Sequence, residues 1–291
     1  MICSFLYVSI STKNSCVKHE KTRTCTFLER KSDVCRLVCR PCCTPLTLVA
    51  CESSKTARGH ANLSRGEFDQ LWKENQLRIC LIGMSNCGKT MRSLQLAQRF
   101  GFERYCVDDN IEQHISSLLQ RSGYPSGIEG VAKWMGYPFE ERFYRNQEIY
   151  LEYENKLTYE AVSTARATNR SFVLDTTGSV IYLEKKTRDI ISDTFLVVHL
   201  EASEDMLQEM IRLYFEAPKP VIWGDSFQPL GNEDGLTALK RCYPQLLRYR
   251  LKRYQQFAHC SVPASVAMNS AVPVEIFVER LRACLPPQAA H

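Results

Sequence analysis

Residues 83–90, Gly83-Met84-Ser85-Asn86-Cys87-Gly88-Lys89-Thr90, set two glycines, a lysine and a threonine at the spacing G-x-x-x-x-G-K-[ST]. The chemistry of that spacing is phosphate binding. The glycines let backbone N–H groups wrap around phosphate oxygens, Lys89 reaches the β- and γ-phosphates, and the Thr90 hydroxyl binds Mg²⁺. Met84, Ser85, Asn86 and Cys87 contribute loop backbone, and Cys87 reads as a small loop filler rather than a redox thiol. The expected ligands are ATP and Mg²⁺.

Such a loop works only between a strand and a helix. Residues 77–82 (Leu-Arg-Ile-Cys-Leu-Ile) form an apolar run suited to a buried parallel strand. Residues 89–100 carry Leu94, Leu96, Ala97 and Phe100 at helical spacing, and the helix start adds its dipole to the anion site. Further strands are expected at 104–107, 171–175, 194–200 and 260–268. Helices are expected near 109–121, 139–167, 179–191, 203–216, 236–258 and 272–285, the last capped by Asn269-Ser270. The fold class that follows is an α/β P-loop NTPase of three layers: a five-stranded parallel sheet, helices on both faces, and the nucleotide at the carboxyl edge of the strands.

Two carboxylates fall at that edge. Asp175 closes the strand 171–175 and reads as a second Mg²⁺ ligand, with a cap or turn role as the alternative. Asp108 follows the second strand, from which a carboxylate can orient a hydroxyl in line with the γ-phosphate; capping of the next helix is the alternative for Asp108 and Asp109. The irregular stretch 217–235, rich in Pro and Gly, reads as a mobile lid that excludes water.

Four later segments occur in order after the loop: Asp108-Asp-Asn-Ile111-Glu112, Phe143-Tyr-Arg145-Asn-Gln-Glu148, Lys219-Pro220-Val-Ile and Arg250-Leu-Lys-Arg-Tyr254. Together with the P-loop they resemble the shikimate kinase family, over roughly seven-tenths of the chain from Leu77 to Leu285. The resemblance implies a phosphotransferase with an alcohol acceptor, moving the γ-phosphoryl of Mg-ATP to a hydroxyl of shikimate or a related hydroxy acid. It implies Lys89, Asp108 and Lys219 as catalytic residues, Asp108 being the base. Asp108, Arg145, Gly178 and Arg250 would bind the substrate, the two arginines holding its carboxylate because a planar guanidinium grips carboxylate bidentately.

The chain departs from that pattern in places. Lys219 stands where the family has a lid Arg, with Arg212 as a substitute cation; Cys106 replaces a second Asp, whose metal role passes to Asp175; and Thr176-Thr177-Gly178 replaces a triple glycine, putting side chains where substrate meets bare backbone. The alternatives are a P-loop phosphotransferase for another substrate, or an ATP-binding relative without catalysis.

Residues 1–60 hold ten Lys/Arg and four Asp/Glu, so the net charge of +5 is a leader charge of +6 on a body of −1. A near-neutral body excludes a broad nucleic-acid-binding face, which needs clustered cations. No run approaches the ~20 apolar residues of a membrane span. Eight of the fourteen cysteines lie in the first 51 residues, and their spacing from Cys35 to Cys43 lacks the second pair a zinc knuckle needs. The expected organisation is a leader over 1–75, disordered or transit-peptide-like, and a kinase domain over 76–291. A monomer in the cytoplasm is expected, or in a plastid or mitochondrion if the leader is a transit peptide.

Overall fold

Short β-branched and leucine-rich runs between helical segments need cover on both faces, and the fold supplies it. In the computed structural model the described residues are 25–31, 34–40, 63–216 and 219–287. The chain divides into two units between Thr56 and Ala57. In the first, β1 (Cys25–Lys31) and β2 (Val34–Arg40) pair antiparallel. The transit-peptide reading and the rest of the cysteine-rich leader fall mostly outside the described residues.

The second unit begins its described part with α1 (Arg65–Lys73), followed by β3 (Arg78–Ile82), α2 (Lys89–Phe100), β4 (Glu103–Cys106), α3 (Val107–Arg121), α4 (Ile128–Met135), α5 (Phe143–Ala167) and β5 (Phe172–Asp175). A 3₁₀ turn (Val180–Tyr182), α6 (Lys185–Thr194), β6 (Leu196–Leu200), α7 (Glu204–Glu216), α8 (Gly235–Phe257), β7 (Cys260–Val262), α9 (Ala264–Ala267) and α10 (Val274–Cys284) complete it. The five strands form one parallel sheet in the order β4-β5-β3-β6-β7.

Alternation along β3 divides the core. Ile79 and Leu81 join Val173, Leu196 and Val198 under α1, α2 and α10, whereas Cys80 and Ile82 join Leu174 and Val197 under α3, α5 and α8. The α/β fold with helices on both faces is therefore as the sequence predicts. The strand order reverses on either side of β3, so the loop leaving β3 opens into the crevice where such sheets bind ligands.

Several boundaries differ from expectation. Helix α1, assigned to the leader from the sequence, belongs to the second unit: Arg282 pairs with Asp69 at 2.7 Å and Arg65 N–H donates to the Pro286 carbonyl. Strand β7 stops at Val262 because Pro263 cannot extend the ladder, and the rest of the expected strand is α9. Helix α10 starts after Pro273 with no side-chain cap; Asn269 instead accepts from Ala271 N–H. Among the described residues no helix is long and apolar enough to cross a membrane.

Candidate active site

Gly83 and Gly88 hold φ of 142° and 94°, values that favour glycine. A Cβ on Gly83 would lie 2.6 Å from the Leu200 carbonyl, and one on Gly88 2.5 Å from that of Ala267. Between them the loop turns with Asn86 at φ 60°. Lys89 Nζ donates to the Gly83 and Met84 carbonyls at 3.0 and 2.8 Å, which keeps the ammonium at the loop's mouth. Burial pushes the Cys87 thiol up, consistent with a loop filler and not a redox handle.

Arg92, one turn into α2, is fully buried and was not singled out from the sequence. It donates to the carbonyls of Ala267, Val272 and Asn269 at 2.9–3.0 Å, and to that of Val266. Its guanidinium thus fixes the 266–272 segment against the helix that carries the P-loop.

Asp175 lies at the expected edge but is engaged there. Its Oδ2 accepts from Arg104 Nη2 at 2.8 Å and faces Ser93 Oγ at 3.0 Å, while Arg104 Nε donates to Ser93 at 2.8 Å. A guanidinium on that oxygen takes the position a cation would need, so the residues present do not fit Asp175 as a direct Mg²⁺ ligand. Thr90 remains exposed at the cavity wall. Among the described residues no cluster of three or more His, Cys, Asp or Glu could hold a metal.

Opposite the P-loop, one cavity of about 660 Å³ is lined by Lys89, Thr90, Asp108, Gly178, Lys219 and Arg250 together. Asp108 sits in the first turn of α3 beside Tyr150 of α5. Burial raises its carboxyl above the usual range, opposed by Lys89. Arg250 of α8 is buried, donates through Nη2 to the Ile222 carbonyl at 2.6 Å, and leaves Nε without a partner. The guanidinium also lies over the Tyr182 ring, 5.6 Å from its centroid, and brings a positive charge to the cavity wall. A Cβ on Gly178 would stand 3.6 Å from Arg250 Nη1 and 3.8 Å from Ser85 N, so the turn after β5 closes on both.

Thr177 lines the cavity beside Gly178 and Ser179, as expected, whereas Thr176 does not, and both hydroxyls are engaged in the protein. Thr176 Oγ1 donates to the Leu81 carbonyl at 2.8 Å, and Thr177 Oγ1 donates to Glu154 Oε1. Glu154, buried on α5, also accepts from Ser179 Oγ at 2.6 Å. Burial pushes its carboxyl up to about 7, against the pull of the two hydroxyls.

The lid segment is better anchored than its composition suggests. Val221, Ile222, Trp223 and Phe227 are buried, and Trp223 N–H donates to Gln147 Oε1 at 2.7 Å. Trp223 packs on Tyr214 and Tyr243, whose rings stack at 4.1 Å. Just before this anchor, Lys219 Nζ donates to Asn86 Oδ1 at 2.9 Å, bringing the expected cation onto the P-loop.

Two expected residues are elsewhere. Arg145 is exposed and borders a separate hollow with Glu140, Glu141 and Arg142. Arg212 is exposed on α7, where it pairs with Glu209 and Glu216. Helical phase explains the first: α5 buries Phe143, Asn146, Gln147, Tyr150 and Glu154, which turns Arg145 outward.

The sheet order, the glycine-wrapped loop and the helices on both faces define an α/β P-loop NTPase fold. No protein-family model matches the chain. No curated protein sequence matches it either. Among solved structures it is similar to shikimate kinase from Acinetobacter baumannii in complex with shikimate, at 19% identity over 74% of this chain and 94% of that one, TM-score 0.44. It is also similar to shikimate kinase from Bacteroides thetaiotaomicron (17%, 71% and 97%, TM-score 0.45). A third similarity is to deoxyadenosine kinase from M. mycoides with bound dCTP (14%, 71% and 100%, TM-score 0.35).

Proposed function

We infer that the chain is a P-loop phosphotransferase that moves the γ-phosphoryl group of Mg-ATP to a hydroxyl of a small hydroxylated anion, shikimate or a related hydroxy acid. The observation that carries this reading is the cavity in which Lys89, Asp108, Gly178 and Arg250 converge.

Mg-ATP enters as a substrate, its phosphates on the backbone of 83–90 and its metal beside Thr90. Arg250 and the Gly178 turn hold the acceptor's anionic end, which leaves a hydroxyl for Asp108 to orient and deprotonate. Burial makes Asp108 a stronger base once ionised, and Lys89 partly offsets the rise by favouring the ionised form. Lys89 and Lys219 face the oxygens that gain charge during transfer. With Arg145 outside the cavity, Arg250 alone grips the anion, which widens the acceptor class beyond shikimate itself.

The test is ADP release by the full chain with Mg-ATP, with and without shikimate and a panel of other hydroxylated anions, using Lys89→Ala as the blank. Acceptor-dependent release lost in Asp108→Ala supports the assignment. Nucleotide binding with no acceptor-dependent release would sink it in favour of a non-catalytic ATP-binding protein.

A further inference from the structure

The mechanism above leaves one buried carboxyl at the site unused. Glu154 Oε1 accepts from Thr177 Oγ1 and Oε2 accepts from Ser179 Oγ at 2.6 Å, while Ser179 N–H donates to Thr177 Oγ1 at 3.0 Å. The residue between these two hydroxyls is Gly178, whose carbonyl accepts from Tyr254 OH and whose Cα faces Arg250 and Ser85. A side chain that lines no part of the cavity therefore holds both ends of the turn that does.

We propose that Glu154 is a positioning residue: as a carboxylate it clamps Thr177 and Ser179, and so sets the Gly178 backbone at the distance from Arg250 and the P-loop that the acceptor needs. This deepens the kinase reading and rests on it for the word acceptor. An ionised carboxyl accepts at both oxygens and satisfies both hydroxyls. A protonated one must donate at one oxygen, so one hydroxyl has to reverse from donor to acceptor, and the clamp exchanges charge-assisted bonds for weaker neutral ones. A glutamine makes that change permanently.

The turn consequently responds to pH through Glu154. Four groups face it besides the two hydroxyls: Asp108 from α3, Tyr150 from α5, and Arg250 and Tyr254 from α8. Asp108 raises its affinity for a proton and Arg250 lowers it; Tyr150 and Tyr254 stay neutral because burial raises both phenols. Asp108 titrating as the base acts on kcat, whereas release of the clamp acts on acceptor KM.

The full chain labelled with [¹⁵N]glycine has thirteen glycines, among which Gly178→Ala identifies the Gly178 amide. In wild type that amide is expected to move with pH about a midpoint near 7, where Glu154 titrates. In Glu154→Gln it should stay at the wild-type low-pH position, with the Gly83 and Gly88 amides unmoved. Asp108→Asn should retain the titration, and Ser179→Ala, which removes one donor, should raise its midpoint. Kinetically, Glu154→Gln should raise acceptor KM roughly tenfold, as expected when hydrogen bonds to a charged group become neutral ones, and flatten its pH dependence. A Gly178 amide that titrates in Glu154→Gln as in wild type would overturn the proposal. If wild type turns over no acceptor, the kinase reading fails, and the amide titration still decides the role of Glu154.

Discussion

Arg104 Nη2 lies 2.8 Å from Asp175 Oδ2, and Arg104 Nε lies 2.8 Å from Ser93 Oγ. One guanidinium thereby joins β4, β5 and the helix that follows the P-loop. Asp175 is almost fully buried, so the pair exists as much to cover its charge as to link the three elements.

Asp175→Ala should therefore lower stability by about 3 kcal/mol, the usual cost of removing one partner from a buried pair. Thermal unfolding measures this. The Mg²⁺ concentration that gives half-maximal turnover should stay within a factor of two in Asp175→Asn; a tenfold rise would mean that the carboxylate reaches the metal.

Arg250→Ala should raise acceptor KM tenfold or more, and Arg250→Lys should restore little of it, because an ammonium cannot replace the planar fork. Arg145→Ala should leave both kcat and KM unchanged, since that side chain borders a different hollow. Steady-state kinetics on the two variants in parallel separates the arginines.

Two glycines should fail in different ways. Gly88→Ala puts a Cβ 2.5 Å from the Ala267 carbonyl at φ 94°, so loss of ATP binding and a lowered melting temperature are expected together. Gly178→Ala meets its neighbours at 3.6 Å and 3.8 Å, an ordinary contact. That variant should melt like wild type and bind ATP while losing acceptor affinity, which calorimetry and kinetics would show.

Protonation links two buried groups to stability with opposite signs. Glu154 has a folded pKa raised to about 7 from 4.5, so its contribution is full below 4.5 and is lost as pH rises through 7. His199 has a folded pKa lowered to about 4 from 6.5 by burial, so its contribution is present above 6.5 and lost as pH falls. Between pH 5 and 6.5 the two slopes oppose each other. Glu154→Gln should unmask the histidine slope, its stability rising with pH relative to wild type by about 1.4 kcal/mol per unit in that window. Urea unfolding at several pH values measures the difference, and parallel curves for the two proteins would contradict it.

The P-loop was legible because its residues act through local backbone geometry, and the central strands β3, β5 and β6 because each is an apolar run buried on both faces. Asp108, Gly178, Lys219 and Arg250, far apart in the sequence, line one cavity with the P-loop. Asp175 was misread because its partner is Arg104, on a strand adjacent only in the folded sheet. Glu154 gave no signal, being one acid among several on a long helix, although counting the helical phase from Phe143 would have turned it inward and Arg145 outward. Helix α1 was missed despite a readable sign: Ser64 and Glu67 form a capping box.

Lys219 is three residues from Ile222, whose carbonyl is tied to Arg250. Three residues of extended chain reach about 10 Å. The ammonium that bridges to Asn86 is therefore a charge on a short leash, and no diffusive search is needed for it to meet an incoming phosphate. Its local concentration at the P-loop is set by the length of that tether and by the aromatic bed of Trp223, so lengthening the segment by inserted glycines would dilute the cation and loosen its bond to Asn86 while leaving the aromatic bed in place.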